Sequence, residues 1–96
     1  MSKLTVVAKV IAKKNSIENV KSEMLKLIEP TRKEHGCIEY LLHQDNEQPA
    51  VFVFYETWEN LASLESHMNT EHFKNYVNAV GSLIEEKVVQ KMTRIA

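Results

Sequence analysis

Short runs of alternating apolar residues, three stretches with apolar side chains at three- and four-residue spacing, and polar turns between them predict an α+β fold, an antiparallel sheet with helices on one face. The first run, Leu4 to Ile11, sets Leu4, Val6, Ala8 and Val10 on one parity and Thr5, Val7, Lys9 and Ile11 on the other. It reads as a strand. Asn15-Ser16-Ile17-Glu18 offers an N-cap with a glutamate three residues on, the reciprocal capping arrangement that starts a helix. Ile17, Val20, Met24, Leu27, Ile28 and Thr31 then form one apolar stripe against a solvated Lys/Glu face. Pro30 lacks an amide hydrogen and crowds the preceding turn, so the helix is expected to kink or end near it, with Gly36 as a left-handed C-cap.

Cys37 to Gln44 alternates again, and Val51 to Trp58 follows a polar turn from Asp45 to Pro49, which predicts a hairpin. Val51, Val53 and Tyr55 lie on one parity of this strand, and Phe52, Phe54 and Trp58 on the other. Neither face suits water. A small antiparallel sheet with helices on one side normally leaves its other face polar, so a second copy of the chain is expected to cover it: a homodimer through the sheet faces. Glu59 to Met68 reads as a short helix with Leu61, Leu64 and Met68 on its stripe and His67 about 60° from Leu64, half-buried on the shoulder. Asn69-Thr70 supplies a break and a new cap. Phe73, Tyr76, Val77 and Val80 define another helix ending at Gly81, with His72 and Tyr76 sharing a shoulder, and Lys87 to Ile95 is the last strand. This order, strand, helix, strand, strand, helix pair, strand, is the split βαβ, ferredoxin-like plan, carried by a single domain over residues 1–96.

The 96 residues hold one core, and a net charge of −1 with interleaved acids and bases carries no nucleic-acid footprint. Cys37 is the sole cysteine, no segment approaches the roughly 20 apolar residues of a membrane span, and no leader is visible, so a cytoplasmic protein is expected. Fold alone does not supply function. The chemistry-bearing residues gather where the third strand meets the helix after it: Glu56, Trp58, His67 and His72. Five residues apart, the two histidines sit about 140° apart on one unbroken helix, so only the break at Asn69-Thr70 lets them converge. Zinc spacings are absent, and no metal is expected. An imidazole with an ordinary pKa of about 6.5 is suited to moving protons at neutral pH. Glu56, in an apolar strand, must pair, hydrogen-bond or reach solvent.

Pro30-Thr31, Glu34 through Tyr40, Glu56-Thr57-Trp58, and His67-Met68-Asn69-Thr70-Glu71-His72-Phe73 together resemble the antibiotic biosynthesis monooxygenase domain, closest in appearance to the small quinol monooxygenases. The resemblance implies a dimeric α/β-barrel and oxidation of a quinol-type or polycyclic aromatic by O₂ without flavin, metal or haem. It implies His67 or His72 as base, Glu56 as the group that orients it, and Trp58, Phe73, Tyr76 and Tyr40 as the walls that hold the aromatic. Haem-degrading relatives place an iron-ligating histidine near Val77, which cannot ligate. Two alternatives share the architecture. One is an isomerase of a phosphorylated signalling sugar, with Arg32, Lys74 and Arg94 as phosphate anchors; the other is a dimer that binds small aromatics without turnover.

Overall fold

The computed structural model describes residues 3–96. Strand β1 (Leu4–Ala12) leads through a 3-10 turn at Lys14–Ser16 into helix α1 (Ile17–Arg32); β2 (Cys37–Gln44) and β3 (Val51–Trp58) form the hairpin; α2 (Leu61–Met68) and α3 (Glu71–Val80) precede β4 (Ile84–Met92). The sheet runs β2-β3-β1-β4, with every neighbouring pair antiparallel. This is the ferredoxin-like α+β arrangement. No helix among the described residues is long and apolar enough to cross a membrane.

The even parity of β1 and β3 faces the helices. Val6, Val10, Phe52, Phe54 and Trp58 are buried there, against Val20, Met24 and Leu27 of α1 and Leu64, Tyr76 and Val80 of α2 and α3. Side chains alternate across a strand, so the other parity forms the outer face. Leu41, Tyr55, Val88 and Met92 are exposed on it. The mixed but largely apolar outer surface is the one the strand pattern predicts.

Three details of α1 and β4 differ from the sequence reading. Ser16, not Asn15, stands at the N-cap of α1, and its hydroxyl bonds Asn15 Oδ1 at 3.2 Å instead of a helix amide. The preceding 3-10 turn, closed by Ser16 N–H to Lys13 O at 2.9 Å, carries the chain into the helix, so no capping box forms. Helix α1 ends at Arg32, near Pro30 as expected: Thr31 is fully buried on the apolar stripe, and the Lys33 amide bonds back to Pro30 O and Thr31 O. Packing of that last turn outweighs one lost backbone bond. Finally, β4 begins and ends three residues before the expected Lys87–Ile95, because Lys13 N–H to Leu83 O (2.9 Å) pins its entry and Ala12 pairs with Ile84.

Gly36 lies in the turn after α1 rather than capping it, at φ +91°. Its carbonyl accepts from Glu59 N–H at 2.9 Å, which ties this turn to the end of β3. A Cβ there would stand 2.1 Å from Ser63 Oγ and 2.7 Å from Ser63 Cβ on α2. Both the left-handed backbone and the close approach of α2 demand glycine. Gly36→Ala is expected to lower stability by about 2 kcal/mol or more, read as a drop in the urea midpoint with the slope unchanged.

Candidate functional site

A cavity of about 330 Å³ lies between the helix-facing side of the sheet and helices α2 and α3. Its polar lining comes from Tyr40, Glu56, His67, Tyr76 and Lys87, and its apolar lining includes Val6, Phe54, Leu64, Phe73 and Val89. The sheet delivers Tyr40 and Glu56 as direct cross-strand partners, both on the helix-facing parity. Asn60 Oδ1 accepts from Ser63 N–H at 2.9 Å to start α2, and Thr70 Oγ1 accepts from Phe73 N–H at 3.3 Å to start α3. These two caps, with the break between them, aim His67 and His72 toward each other.

Their ring centres lie 6.1 Å apart, and one residue joins them: Glu34, in the turn before Gly36. Glu34 Oε2 lies 2.8 Å from His67 Nδ1 and 2.5 Å from His72 Nε2. A carboxylate oxygen only accepts, so each imidazole donates to it, His67 through Nδ1–H and His72 through Nε2–H. That choice of tautomer leaves His67 Nε2 as the nitrogen available to a molecule in the cavity. Aromatic rings lock His67 on three sides: Trp58 and Phe73 with ring centres at 4.9 Å each, and Tyr40 edge-on at 5.6 Å. His67 is only 2% exposed, more deeply buried than the half-buried position its helix phase suggests, because β2, β3 and α3 all close over it.

The remaining residues singled out in the sequence divide by position. Phe73, Tyr76 and Tyr40 line the cavity with His67 and Glu56; Trp58 and His72 do not. Trp58 is fully buried behind the wall, where its indole Nε1–H donates to Glu56 Oε1 at 2.8 Å. His72 lines a smaller crevice of about 140 Å³ on the other side, between α1 and α3. Glu56 therefore contacts the indole, and Glu34 is the carboxylate on the histidines. Local sequence pattern does not pick out Glu34, one acid among several around α1, because its partners lie 33 and 38 residues away. Its only sequence signal is its place in the family-like run that ends at Tyr40.

Burial pushes the Glu56 carboxyl up to about 7; the Trp58 hydrogen bond opposes this and the charge of Glu34 adds to it. Burial also holds His67 below the ordinary imidazole value, against the hydrogen bond and charge of Glu34 and with the charge of His72. Burial thus favours the neutral form of the His67 imidazole. Burial raises Cys37 to about 11 and Tyr76 to about 12, so neither is a ready nucleophile or base near neutrality. Glu34, His67 and His72 offer three donor atoms within 4.8 Å of one another. Their N···O separations of 2.8 and 2.5 Å are hydrogen-bond lengths. Ligands of a tetrahedral zinc ion stand about 3.3 Å apart. The trio is spaced for shared protons. Of the cations considered as phosphate anchors, none lines the cavity; Arg32 instead donates to Tyr40 O at 3.0 and 3.2 Å, and Lys87 is the one cation on the wall.

An α+β domain whose sheet and helix pair border an apolar cavity with a carboxylate-held histidine offers a candidate small-molecule site. The chain belongs to the antibiotic biosynthesis monooxygenase family, whose model matches residues 3–79. It is 30% identical over 96 residues to the Escherichia coli protein named "Probable quinol monooxygenase YgiN", covering 88% of this chain and 92% of that one. An uncharacterised Synechocystis protein, sll1783, is 36% identical over 69 residues, 72% of this chain; the match spans 47% of the length of that relative. The crystal structure of PA3566 from Pseudomonas aeruginosa superposes with a TM-score of 0.96 at 33% identity, covering 100% of this chain and 97% of that one.

Glu56 makes stability depend on pH. Its folded value of about 7 exceeds its ordinary 4.5, so the folded state holds an extra proton between those values. The stabilisation is complete below 4.5 and is lost as pH rises through 7. Glu56→Gln keeps the acceptor for Trp58 and removes this loss. Relative to the parent, the variant is expected to gain up to about 3 kcal/mol at pH 8 and little at pH 4. Urea unfolding at the two pH values measures the difference.

Proposed function

We propose that the protein is a cofactor-independent monooxygenase that oxidises a quinol-type or polycyclic aromatic with O₂, with His67 as the general base. The observation that carries this reading is a neutral imidazole on the wall of an apolar cavity, its Nδ1–H held by Glu34 and its Nε2 left for the substrate. Dioxygen is a spin triplet and reacts slowly with closed-shell molecules. A substrate that gives up a proton becomes electron-rich enough to give up an electron as well.

His67 Nε2 removes the proton from a phenol or an acidic ring CH₂, and Glu34 stabilises the imidazolium that forms. Lys87, the one cation on the wall, balances the charge of the substrate anion. The anion passes one electron to O₂, the resulting radical and superoxide combine at carbon, and the peroxide loses water. For a ring CH₂ the balance is R₂CH₂ + O₂ giving R₂C=O and H₂O: carbon is oxidised by four electrons and O₂ takes all four. Glu56, which titrates near neutrality beside the cavity, can return a proton to the departing oxygen. Tyr40, Phe73 and Tyr76 hold the aromatic plane, and Trp58 acts from behind by fixing Glu56 and packing on His67.

The apolar outer sheet face supports a homodimer as the working form. Leu41, Tyr55, Val88 and Met92, each 38–42% exposed on one chain, form a surface that a second copy would bury. Sedimentation equilibrium at micromolar concentration is expected to give twice the 11.1 kDa chain mass, and Tyr55→Asp with Leu41→Glu is expected to give the monomer. A wild-type monomer would contradict this assembly.

An oxygen electrode with a panel of hydroquinones, anthrones and naphthols, in protein treated with chelator, tests the activity. His67→Ala is expected to lower kcat/KM by about 100-fold or more. Product formed equally well under nitrogen would favour isomerisation, and saturable quenching of Trp58 fluorescence without O₂ uptake would leave a binding protein.

A further inference from the structure

His72 lies outside the cavity yet shares the carboxylate oxygen that holds the base. Both imidazoles reach Glu34 Oε2, His67 from the cavity side and His72 from the crevice between α1 and α3. Leu27 and Tyr76 line both hollows, and the His67–Glu34–His72 chain links a residue on the cavity to a residue on the crevice. The His72 side chain is 26% exposed, against 2% for His67. One end of the chain meets the substrate space and the other meets water.

We propose that His72 is a positioning residue for His67, acting through Glu34: its Nε2–H clamps the carboxylate from the solvent side. Glu34 sits in a turn, and a carboxylate bonded on one side only can rotate away from His67 Nδ1. A second donor to the same oxygen removes that freedom, the way outer partners fix the tautomer and orientation of a working imidazole.

Around His72, α1 contributes Glu23 and Lys26, which pair with each other at 2.9 Å; the turn contributes Glu34, α2 contributes His67, and its own helix contributes Tyr76. From β2 and β3, Tyr40 and Glu56 are directed to the cavity and His67. Glu34 is therefore the one carboxylate that meets both rings, and the coupling has a single route. This role rests on His67 being the base, but it is also readable without turnover.

Histidine ¹⁵N NMR of the full chain, wild type and two variants, decides it. Wild type is expected to show His67 protonated at Nδ1. His72→Gln retains an N–H donor for Glu34, so the His67 tautomer stays. His72→Leu removes the donor, so Nδ1–H and Nε2–H forms of His67 mix. If the oxygenase assay succeeds, His72→Leu lowers kcat about tenfold with KM within about twofold, and His72→Gln restores most of it. An unchanged His67 tautomer in His72→Leu, or a mixed one in His72→Gln, overturns the role of His72. So does tight one-to-one uptake of Zn²⁺ with loss of the His67 Nδ1–H signal. Failure of O₂ uptake alone overturns the oxygenase reading and leaves these spectra to judge His72.

Discussion

A single carboxylate oxygen between two imidazoles organises this molecule. Glu34 comes from the turn after α1, His67 from the end of α2 and His72 from the start of α3, so their hydrogen bonds join three separate elements at one point. The two bonds cannot form together unless the chain is broken between the helices, and the Thr70 cap starts α3 after that break. Gly36 lets the turn approach α2 closely enough for Glu34 to reach. The site and the fold are thus held by the same few residues.

The cavity beside this junction illustrates what burial does to polar groups. Desolvation works against the charged form, so it moves an acid up and a base down. Glu56 and His67 on the same wall are displaced in these opposite directions, and each is thereby pushed toward its neutral form. The Trp58 indole and the Glu34 carboxylate each temper the effect on their partner without cancelling it. An apolar enclosure would otherwise exclude both groups; a hydrogen-bonded partner for each makes their burial tolerable.

Sheet and helices also divide labour. The helix-facing parity of β1, β2 and β3 supplies the core, the cavity floor and Tyr40 and Glu56, while the outer parity carries an apolar surface that contributes nothing to the chain's own core. The same alternation places Lys87 and Val89 of β4 on the cavity and Val88 and Met92 outside. This edge strand therefore serves both surfaces.

Much of this could be read from the chain. Period-two alternation identified β2 and β3 to the residue, and the 3.6-residue stripe of Ile17 to Thr31 identified α1, because burial selects side chains locally and leaves a periodic trace. The resemblance carried by Glu56-x-Trp58 and His67-x-x-x-x-His72-Phe73 pointed to the family and to the corner where the site lies. The 3-10 entry to α1 and the ends of β4 were not legible, since the Lys13–Leu83 bond that pins them acts across the fold. Nor was the pairing of carboxylates with partners: sequence proximity suggested Glu56 for the histidines, whereas three-dimensional packing gave Glu56 to Trp58 and Glu34 to His67 and His72. Periodicity and motif record what each segment must bury, and so they determined class, core and neighbourhood. Which polar atoms meet is set by packing, at two positions' separation for Glu56 and Trp58 and at 33 and 38 for Glu34 and its histidines, and only the folded chain decides that.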